Sequence, residues 1–398
     1  MKKICLSVIG LYIGVLAAFS QTTTDTSGYK NKTLKLDEVN FVSGYYHQDG
    51  NNSAVTGGIG SENLTDFANT IELKFSKYDS RFRKHSLGFE MGIDHYTSAS
   101  SDKIDPYTIS SASRSDTRYY PSASWSIQNE KKGTTFGLNV SFSKEFDYRS
   151  FGIGTSFTKA SLDNNQEFTA KLQAYFDQWS VIYPIELRTG QDFGHSGISG
   201  YSPRDSYSGT LSYSRVVNQR LQFALIVEPT YQSGLLATKY QRVYFTDGSE
   251  RAENLPDNRL KIPLGIRANY FIGSRYILRA YYRYYKDNWG IMAHTMELEL
   301  PVKITPGFSV SPFYRYYQQT RADYFAPYAA HLASENYFTS DYDLSEFHSQ
   351  FFGANFRIVP PKGVFNVQHW NSLELRYGHY LRSNGLTANQ VTLAATFK

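Results

Sequence analysis

Apolar and polar residues alternate along most of the chain, from about residue 34 to the end. In the segment 260–270 every second residue is apolar, and the positions between them include Lys261 and Arg267. The same alternation recurs at 136–143 and at 296–303. Since alternate side chains point to opposite faces of a strand, this period of two predicts β-strands.

The length of the alternating segments narrows the fold class. Many run for about ten residues or more, whereas strands in soluble sheets average about five or six. Alternating segments of about ten residues separated by turns are typical of a transmembrane β-barrel. The sequence therefore predicts an all-β fold, a transmembrane antiparallel up-and-down barrel of about sixteen strands. The predicted strands are 34–46, 65–77, 85–98, 117–129, 134–147, 149–162, 166–179, 207–217, 220–232, 259–272, 275–288, 291–304, 307–325, 346–358, 364–381 and 387–398.

The predicted connections differ in length on the two sides of the barrel. Those after even-numbered strands are short, as at 80–82, 131–133, 163–165, 218–219, 273–274, 306–307 and 360–363. Several after odd-numbered strands are long, near 47–64, 99–116, 180–206, 233–258 and 326–345. Short periplasmic turns and long extracellular loops are characteristic of outer-membrane barrels. The cell outer membrane is therefore the predicted location, with its lipids as neighbours.

The N-terminus has the pattern of a secretory signal peptide. Lys2 and Lys3 precede an apolar core at 4–16, and Ala18 and Ser20 are small residues suited to cleavage after position 20. An uncleaved anchor is the alternative, but the apolar core is short for a membrane span. The predicted organisation is a signal peptide at 1–20, a flexible lead-in at 21–33 and the barrel at 34–398.

Composition excludes several other classes of protein. The 33 Tyr, 27 Phe and 4 Trp argue against disorder, and a mean hydropathy of −0.45 argues against a helical membrane bundle. The one cysteine, Cys5, lies in the predicted signal peptide, so the mature chain has no disulfide and no thiol nucleophile. The net charge of +5 includes Lys2 and Lys3, and this balance predicts no nucleic-acid partner.

If the apolar positions face lipid, the alternating charged positions face the lumen. A charge that faces lipid costs about 2–4 kcal/mol at the bilayer centre. The predicted lumen-facing charged residues are Glu72, Lys74, Glu90, Asp94, Arg267, Arg279, Arg283, Glu297, Glu299, Arg315, Arg357, Glu374 and Arg376. They are compatible with a charge-lined pore or binding site, but the alternation of Arg and Glu between strands favours a lumen filled by ion pairs. The tyrosine-rich stretches 281–285 and 314–317 predict an interface girdle, with stacking on a planar ligand as the alternative.

The first two outer loops are rich in oxygen ligands and glycines, which suits calcium. The candidate calcium ligands are Asp49, Asn51, Asp102 and Asp116. Their spacing is not that of an EF-hand, and ordinary turn chemistry is the alternative. The long loop at 190–205 has the glycines to form a plug over an opening, or else a disordered tip.

One arrangement raises the possibility of catalysis. Asp94 precedes His95, a pair that could serve acid–base chemistry in a barrel hydrolase. Strand alternation places the two on opposite faces, so a dyad would need His47 or a histidine from another strand. The sequence identifies no catalytic residue beyond this alternative.

Several motifs carry a family resemblance. The stretches 37–40 (DEVN), 48–60 (from QDG to GGIG) and 94–102 (DHYTSASSD) resemble an outer-membrane barrel family of Bacteroidota known as a domain of unknown function. The likeness extends over nearly the whole mature chain. It implies a barrel in the outer membrane and supplies no substrate or catalytic residues.

The resemblance also suggests partners. Members of the family look to be encoded beside a flavin transferase lipoprotein and a small lipoprotein, which implies a surface assembly by analogy alone. We therefore expect a non-enzymatic barrel that binds or passes a small ligand, or that acts as a scaffold for lipoproteins. No cofactor of its own is expected beyond the candidate calcium, and flavin would come only through a partner. An open diffusion channel and the Asp94 hydrolase are the alternatives.

Overall fold

The computed structural model describes residues 33–97, 115–188 and 198–398. These residues form a closed barrel of 16 antiparallel strands. In chain order the strands are β1 (Lys35–Asp49), β2 (Leu64–Tyr78), β3 (Lys84–Thr97), β4 (Ser115–Asn129), β5 (Thr134–Lys144), β6 (Tyr148–Ala160), β7 (Gln166–Ile182), β8 (Ile198–Val216), β9 (Leu221–Val227 and Thr230–Gly234), β10 (Asn258–Ile272), β11 (Tyr276–Asp287), β12 (Met292–Glu299 and Val302–Thr305), β13 (Phe308–Gln319), β14 (Phe347–Ile358), β15 (Trp370–Arg382) and β16 (Thr387–Phe397).

Each strand pairs with the next along the chain, and the first pairs with the last. The closing ladder between β1 and β16 runs from Val39 opposite Phe397 to Asp49 opposite Thr387. A closed barrel leaves no strand edge unpaired, so every strand has two hydrogen-bonded neighbours. The predicted antiparallel up-and-down barrel and its strand number are confirmed.

Proline explains why two strands are interrupted. β9 is broken at Pro229 and β12 at Pro301, because proline cannot donate a hydrogen bond to the ladder. Both pieces of β9 still pair with β8 and β10, so the strand order is unchanged.

A few predicted boundaries are wrong. β7 extends to Ile182 and β8 begins at Ile198, so the loop predicted at 180–206 is shorter. The connection between β14 and β15 is longer than predicted, because a 3₁₀ turn at Val364–Asn366 delays the next strand. β13 ends at Gln319, where the chain leaves the barrel wall for a long loop.

The outer surface of the barrel is apolar. On β5, Phe136, Leu138, Val140 and Phe142 are all exposed, and most other barrel strands carry similar exposed side chains. A soluble protein rarely exposes so much apolar surface, whereas a barrel in lipid requires it. No helix among the described residues is long and apolar enough to cross a membrane.

The inner surface differs from one side of the barrel to the other. On β5 and β6 the inward positions are small, and they include Gly137, Ser141, Gly152 and Gly154. A Cβ atom on Gly152 would come within 2.7 Å of the Tyr175 ring, so a side chain does not fit there. On β10 to β15 the inward positions carry arginine, glutamate and aromatic side chains instead.

Three long connections pack together over one end of the barrel, and we call this unit the cap (residues 50–63, 235–257 and 320–346). A short hairpin within it pairs Arg242–Tyr244 with Glu250–Ala252. The cap has its own apolar cores: one consists of Val243, Phe245 and Phe338, and another includes Ala237 and Leu255.

Polar contacts join the parts of the cap and attach it to the barrel. The buried Arg242 guanidinium lies 2.5 Å from Glu186 Oε1 and donates to the Val55 carbonyl at 2.9 Å. Arg382 at the end of β15 pairs with Asp343 of the cap at 2.5 Å. The cap therefore connects segments that are far apart in the sequence.

Some sequence predictions fall on residues that are not described. They are the signal peptide at 1–20, the lead-in up to residue 32, Asp102 in the second outer loop, and the predicted plug at 190–205 as far as residue 197. Residues 198–205 of that loop belong to β8.

Candidate functional site

A cavity of about 830 Å³ lies against the inner wall formed by β10 to β15. The alternation of these strands places every second side chain on this wall. The charged side chains that line the cavity are Arg267, Arg279, Arg283, Glu297, Glu299 and Arg315, all of them predicted to face the lumen. Leu264, Ile266, Met296 and Leu298, from the intervening positions of β10 and β12, are exposed on the outer surface.

Two cross-strand ion pairs neutralise part of this wall. Arg279 of β11 lies directly opposite Glu299 of β12, with 3.3 Å between guanidinium and carboxylate. Glu297 lies opposite Arg315 of β13 at 2.8 Å. The register of the barrel thus pairs both glutamates of the cavity with arginines.

The other two arginines of the cavity have no carboxylate partner among the described residues. Arg267 lies with its Cζ 5.5 Å from the centre of the Tyr281 ring, and the Nε of Arg283 is buried without a hydrogen-bond acceptor. Four arginines and two glutamates give this lining a net charge of +2.

Aromatic side chains complete the wall. Tyr281, Tyr317 and Phe351 line the cavity, and the Arg315 guanidinium lies 5.2 Å from the Phe351 ring. The predicted interface girdle does not apply to Tyr281 and Tyr317, because both point inward. Tyr314, from the same tyrosine-rich stretches, is exposed on the outside.

A second cavity of about 500 Å³ lies between this site and the cap. The two share Arg315, Phe351 and Tyr380 in their linings. Burial raises the pKa of Glu62 to about 7, with a further contribution from the nearby Asp343 carboxylate. The space beneath the cap is therefore lined by carboxyl groups, whereas the deeper cavity is lined mainly by arginines.

The remaining predicted lumen-facing residues also lie on the inner face, outside these two cavities. Lys74 contacts Glu72 at 3.1 Å and Glu38 at 3.0 Å. Arg357 pairs with Glu374 at 2.8 Å. Arg376 lies 3.9 Å from the Phe313 ring centre, and Glu90 lies opposite Glu72 in the ladder. Most of these charges are thus compensated by neighbours.

Asp94 is held by neighbouring side chains other than histidine. It accepts hydrogen bonds from Arg118 and Tyr120, each at 2.8 Å. His95 is exposed and contacts Thr117, and His47 is exposed and contacts Thr65. Neither histidine contacts Asp94, so the geometry does not assemble the dyad that the hydrolase alternative requires.

The candidate calcium ligands are separated in the structure. Asp49 and Asn51 are exposed on the first loop, and Asp102 lies outside the described residues. Asp116 lies instead in a carboxylate cluster with Glu145 and Asp147, whose nearest oxygens are within 4.8 Å of one another.

The electrostatics of this carboxylate cluster follow from its burial. Burial raises the pKa of Asp147 to about 7, and the carboxylates of Asp116 and Glu145 raise it further. Burial also raises the pKa of Glu145, although its hydrogen bond from Tyr96 opposes that change. Sequence analysis missed Glu145 and Asp147 because it assigned both to the strand predicted at 134–147. In the structure they lie in the short connection between β5 and β6.

Comparison with solved structures finds other barrels at low identity. A BenF-like porin from Pseudomonas fluorescens Pf-5 matches with a TM-score of 0.44 and 7% identity, over 93% of this chain and 100% of that chain. Pseudomonas aeruginosa OpdK with vanillate gives the same values. A mutant of the monoaromatic hydrocarbon channel TodX matches with a TM-score of 0.40 and 11% identity, over 90% and 89%. These scores carry no argument about a ligand.

Comparison with curated proteins finds no match. A family model described as "Protein of unknown function (DUF3570)" matches residues 94–364, more than half of the chain. This stretch runs from Asp94 on β3 to the turn before β15, and it includes all charged residues of the arginine-lined cavity and two of the three cap segments. The chain therefore belongs to the DUF3570 family.

Proposed function

We propose that this protein is an outer-membrane barrel that binds a small polar ligand in its lumen, beneath a cap that restricts passage. The observation that carries the proposal is the cap itself, because it has its own apolar cores and lies over the charged cavity. An open diffusion channel does not need a folded unit over its mouth. The exposed apolar outer surface and the division into short turns and long loops support the outer-membrane location.

The cap makes a specific prediction about conductance. In planar bilayers the wild type should show low single-channel conductance, because the cap narrows the path. Replacing the hairpin segment 241–252 with a short Gly-Ser linker should raise the conductance several-fold. The barrel should still fold, since its strands close on themselves without the cap.

A folding control makes the conductance result interpretable. Resistance of the folded barrel to unfolding in SDS at room temperature would show that the variant kept its strands. A wild type that conducts as freely as the variant would contradict the proposal and favour the open-channel alternative.

The predicted lipoprotein and flavin partners stay predictions. Gentle detergent extraction from native membrane, followed by mass spectrometry and an absorbance spectrum, would test them directly. Recovery of lipoproteins or bound flavin would favour the scaffold function, and the cap surface would then be the first region to mutate.

A further inference from the structure

We infer that the cavity between β10 and β15 binds a small organic anion, whose carboxylate or phosphate oxygens bridge Arg267 and Arg283. The inference rests on the proposed function, since it names the ligand class of the same lumen. It starts from the position of these two arginines. Arg267 lies opposite Tyr281 in the ladder, and Arg283 lies opposite Gly265.

This register makes the two arginines diagonal neighbours on adjacent strands and on the same inner face. Diagonal neighbours lie about 7–8 Å apart, and somewhat less at their Cβ atoms. The Tyr281 ring lies over Gly265, where a Cβ atom would come within 3.2 Å of it. Glycine at 265 therefore leaves room for the Tyr281 ring, whose centre lies 5.5 Å from the Arg267 guanidinium.

Within the described part of the chain, the positive charge of the cavity is not fully balanced by carboxylates. Glu297 and Glu299 each already pair with an arginine, Arg315 and Arg279 respectively. Two like charges that face one cavity repel each other unless water or an anion lies between them. The unused positive charge is therefore available to a ligand.

A hydrogen-bond donor is also unused. The Nε of Arg283 is buried, and no acceptor for it lies among the residues that the structure describes, which is unfavourable for a charged donor. A guanidinium fork matches the spacing of carboxylate and phosphate oxygens, so such an oxyanion would supply the acceptor. Inward-facing Tyr281, Tyr317 and Phe351 would contact a planar ring attached to that oxyanion.

Binding of simple probes to the purified full barrel in detergent tests this inference. We expect benzoate to bind saturably by calorimetry, and its neutral analogue benzamide to bind at least tenfold more weakly. Acetate should bind more weakly than benzoate, because it lacks the ring. Inorganic phosphate distinguishes the two oxyanions: tighter binding of phosphate would indicate a phosphate ligand, and tighter binding of benzoate a carboxylate.

The variant Arg267→Gln with Arg283→Gln should weaken benzoate binding at least tenfold. Arg357→Gln is the matched control, because Arg357 is also on the inner face but pairs with Glu374 outside the cavity. Equal affinity of the double variant and the wild type would overturn the inference. Equal affinities of the wild type for benzoate and benzamide would also overturn it. The same holds if neither benzoate nor phosphate binds saturably.

The two proposals can fail separately. Free conductance of the wild type, together with arginine-dependent benzoate binding, would reject the cap's role and keep the anion site. Conductance that rises when the cap is removed, without binding of any probe, would keep the cap's role and reject the anion site. Because the double variant keeps all cap residues, a cap defect cannot explain its loss of binding.

Discussion

Glu253 is a carboxyl group enclosed by the cap, and its surroundings give the cap a dependence on pH. It is 2% exposed and accepts hydrogen bonds from the Thr238 backbone N–H and the Thr339 hydroxyl. Burial raises its pKa to about 8, with a contribution from the nearby Asp341 carboxylate and an opposing one from Lys239. In the folded cap Glu253 is therefore neutral at pH 6.

The sign of the resulting pH effect follows from that pKa. The pKa of Glu253 is higher in the folded cap than in an unfolded chain, so its contribution to stability is complete below about pH 4.5. That contribution decreases as the pH rises toward 8 and is lost above it. We expect the cap to be cleaved faster by a protease at pH 8 than at pH 6.

Glu253→Gln should remove most of this dependence, because glutamine can accept from Thr238 and donate to Thr339 without titrating. Cleavage within 235–257 should be followed by mass spectrometry. Protease activity at each pH is calibrated on an unfolded peptide. A variant that keeps the full pH dependence of the wild type would show that another group, such as Asp341, controls the cap.

Calcium binding at Asp116 stays a prediction, but the structure gives Asp116 other neighbours than the predicted ligands. Asp116, Glu145 and Asp147 supply three carboxylates in one cluster, and oxygen ligands of this kind suit calcium. Chelation should lower the melting temperature of the wild type by a few degrees and leave Asp147→Asn unchanged. Asp49→Asn, on the separate first loop, should respond like the wild type. A wild type that is indifferent to chelator would contradict the prediction.

At the residue scale, the sequence predicts which face a side chain occupies but not its partner. Alternation alone is enough to assign Arg267 and Glu297 to one face. Which arginine each glutamate contacts depends on the register between strands. That register follows from the exact strand ends and turn types, which the alternation alone does not give. For the same reason, only the structure shows that Arg283 has no carboxylate partner among the described residues.

At the scale of elements, Arg242 is one of the residues that join the cap to the barrel rim. It is 3% exposed and contacts Glu186, Glu250 and the Val55 carbonyl. Only the arginine of this pair is fully buried, since the Glu186 side chain is 38% exposed. Water can therefore reach the remaining carboxylate, and we expect a cost of about 1–3 kcal/mol, less than for a fully buried ion pair. Arg242→Ala should therefore loosen the cap without changing the barrel strands.

Limited proteolysis and thermal unfolding separate these two effects. The variant should be cleaved faster in the cap, while the melting temperature of the barrel stays within about two degrees of the wild type. Arg220→Ala is the control, since Arg220 lies in a short turn outside the cap. Equal cleavage of both variants would mean that the apolar cores alone hold the cap.

The strands were predictable and the cap was not, for one physical reason. Strands in lipid need a strict period of two, so β5 and β10 can be identified from sequence alone. The cap has no period, and its cores join Phe245 to Phe338 across a long stretch of chain. Such contacts depend on the closed barrel, which brings distant loops to the same end.

For the whole molecule, the two sides of the lumen have different linings. The inward positions of β5 and β6 carry small residues, whereas those of β10 to β15 carry arginines, glutamates and aromatic side chains. The sequence predicts a lumen of mixed charge, and it does not decide between a pore and a filled interior. The structure shows compensated charges along most of the wall and a local excess of positive charge in one cavity.

The cap contacts also imply an order of assembly. Arg242 bonds to Val55, and Asn52 bonds to the carbonyl of Asn384, so the cap needs strands from both ends of the barrel. Contacts between loops this distant in sequence have a large entropic cost in an open chain. That cost falls once the barrel wall has brought the ends of the loops together. We therefore expect the cap to form after the wall has closed. A barrel that stalls before closing would expose its loops to periplasmic proteases, so an intact cap would mark a correctly inserted molecule.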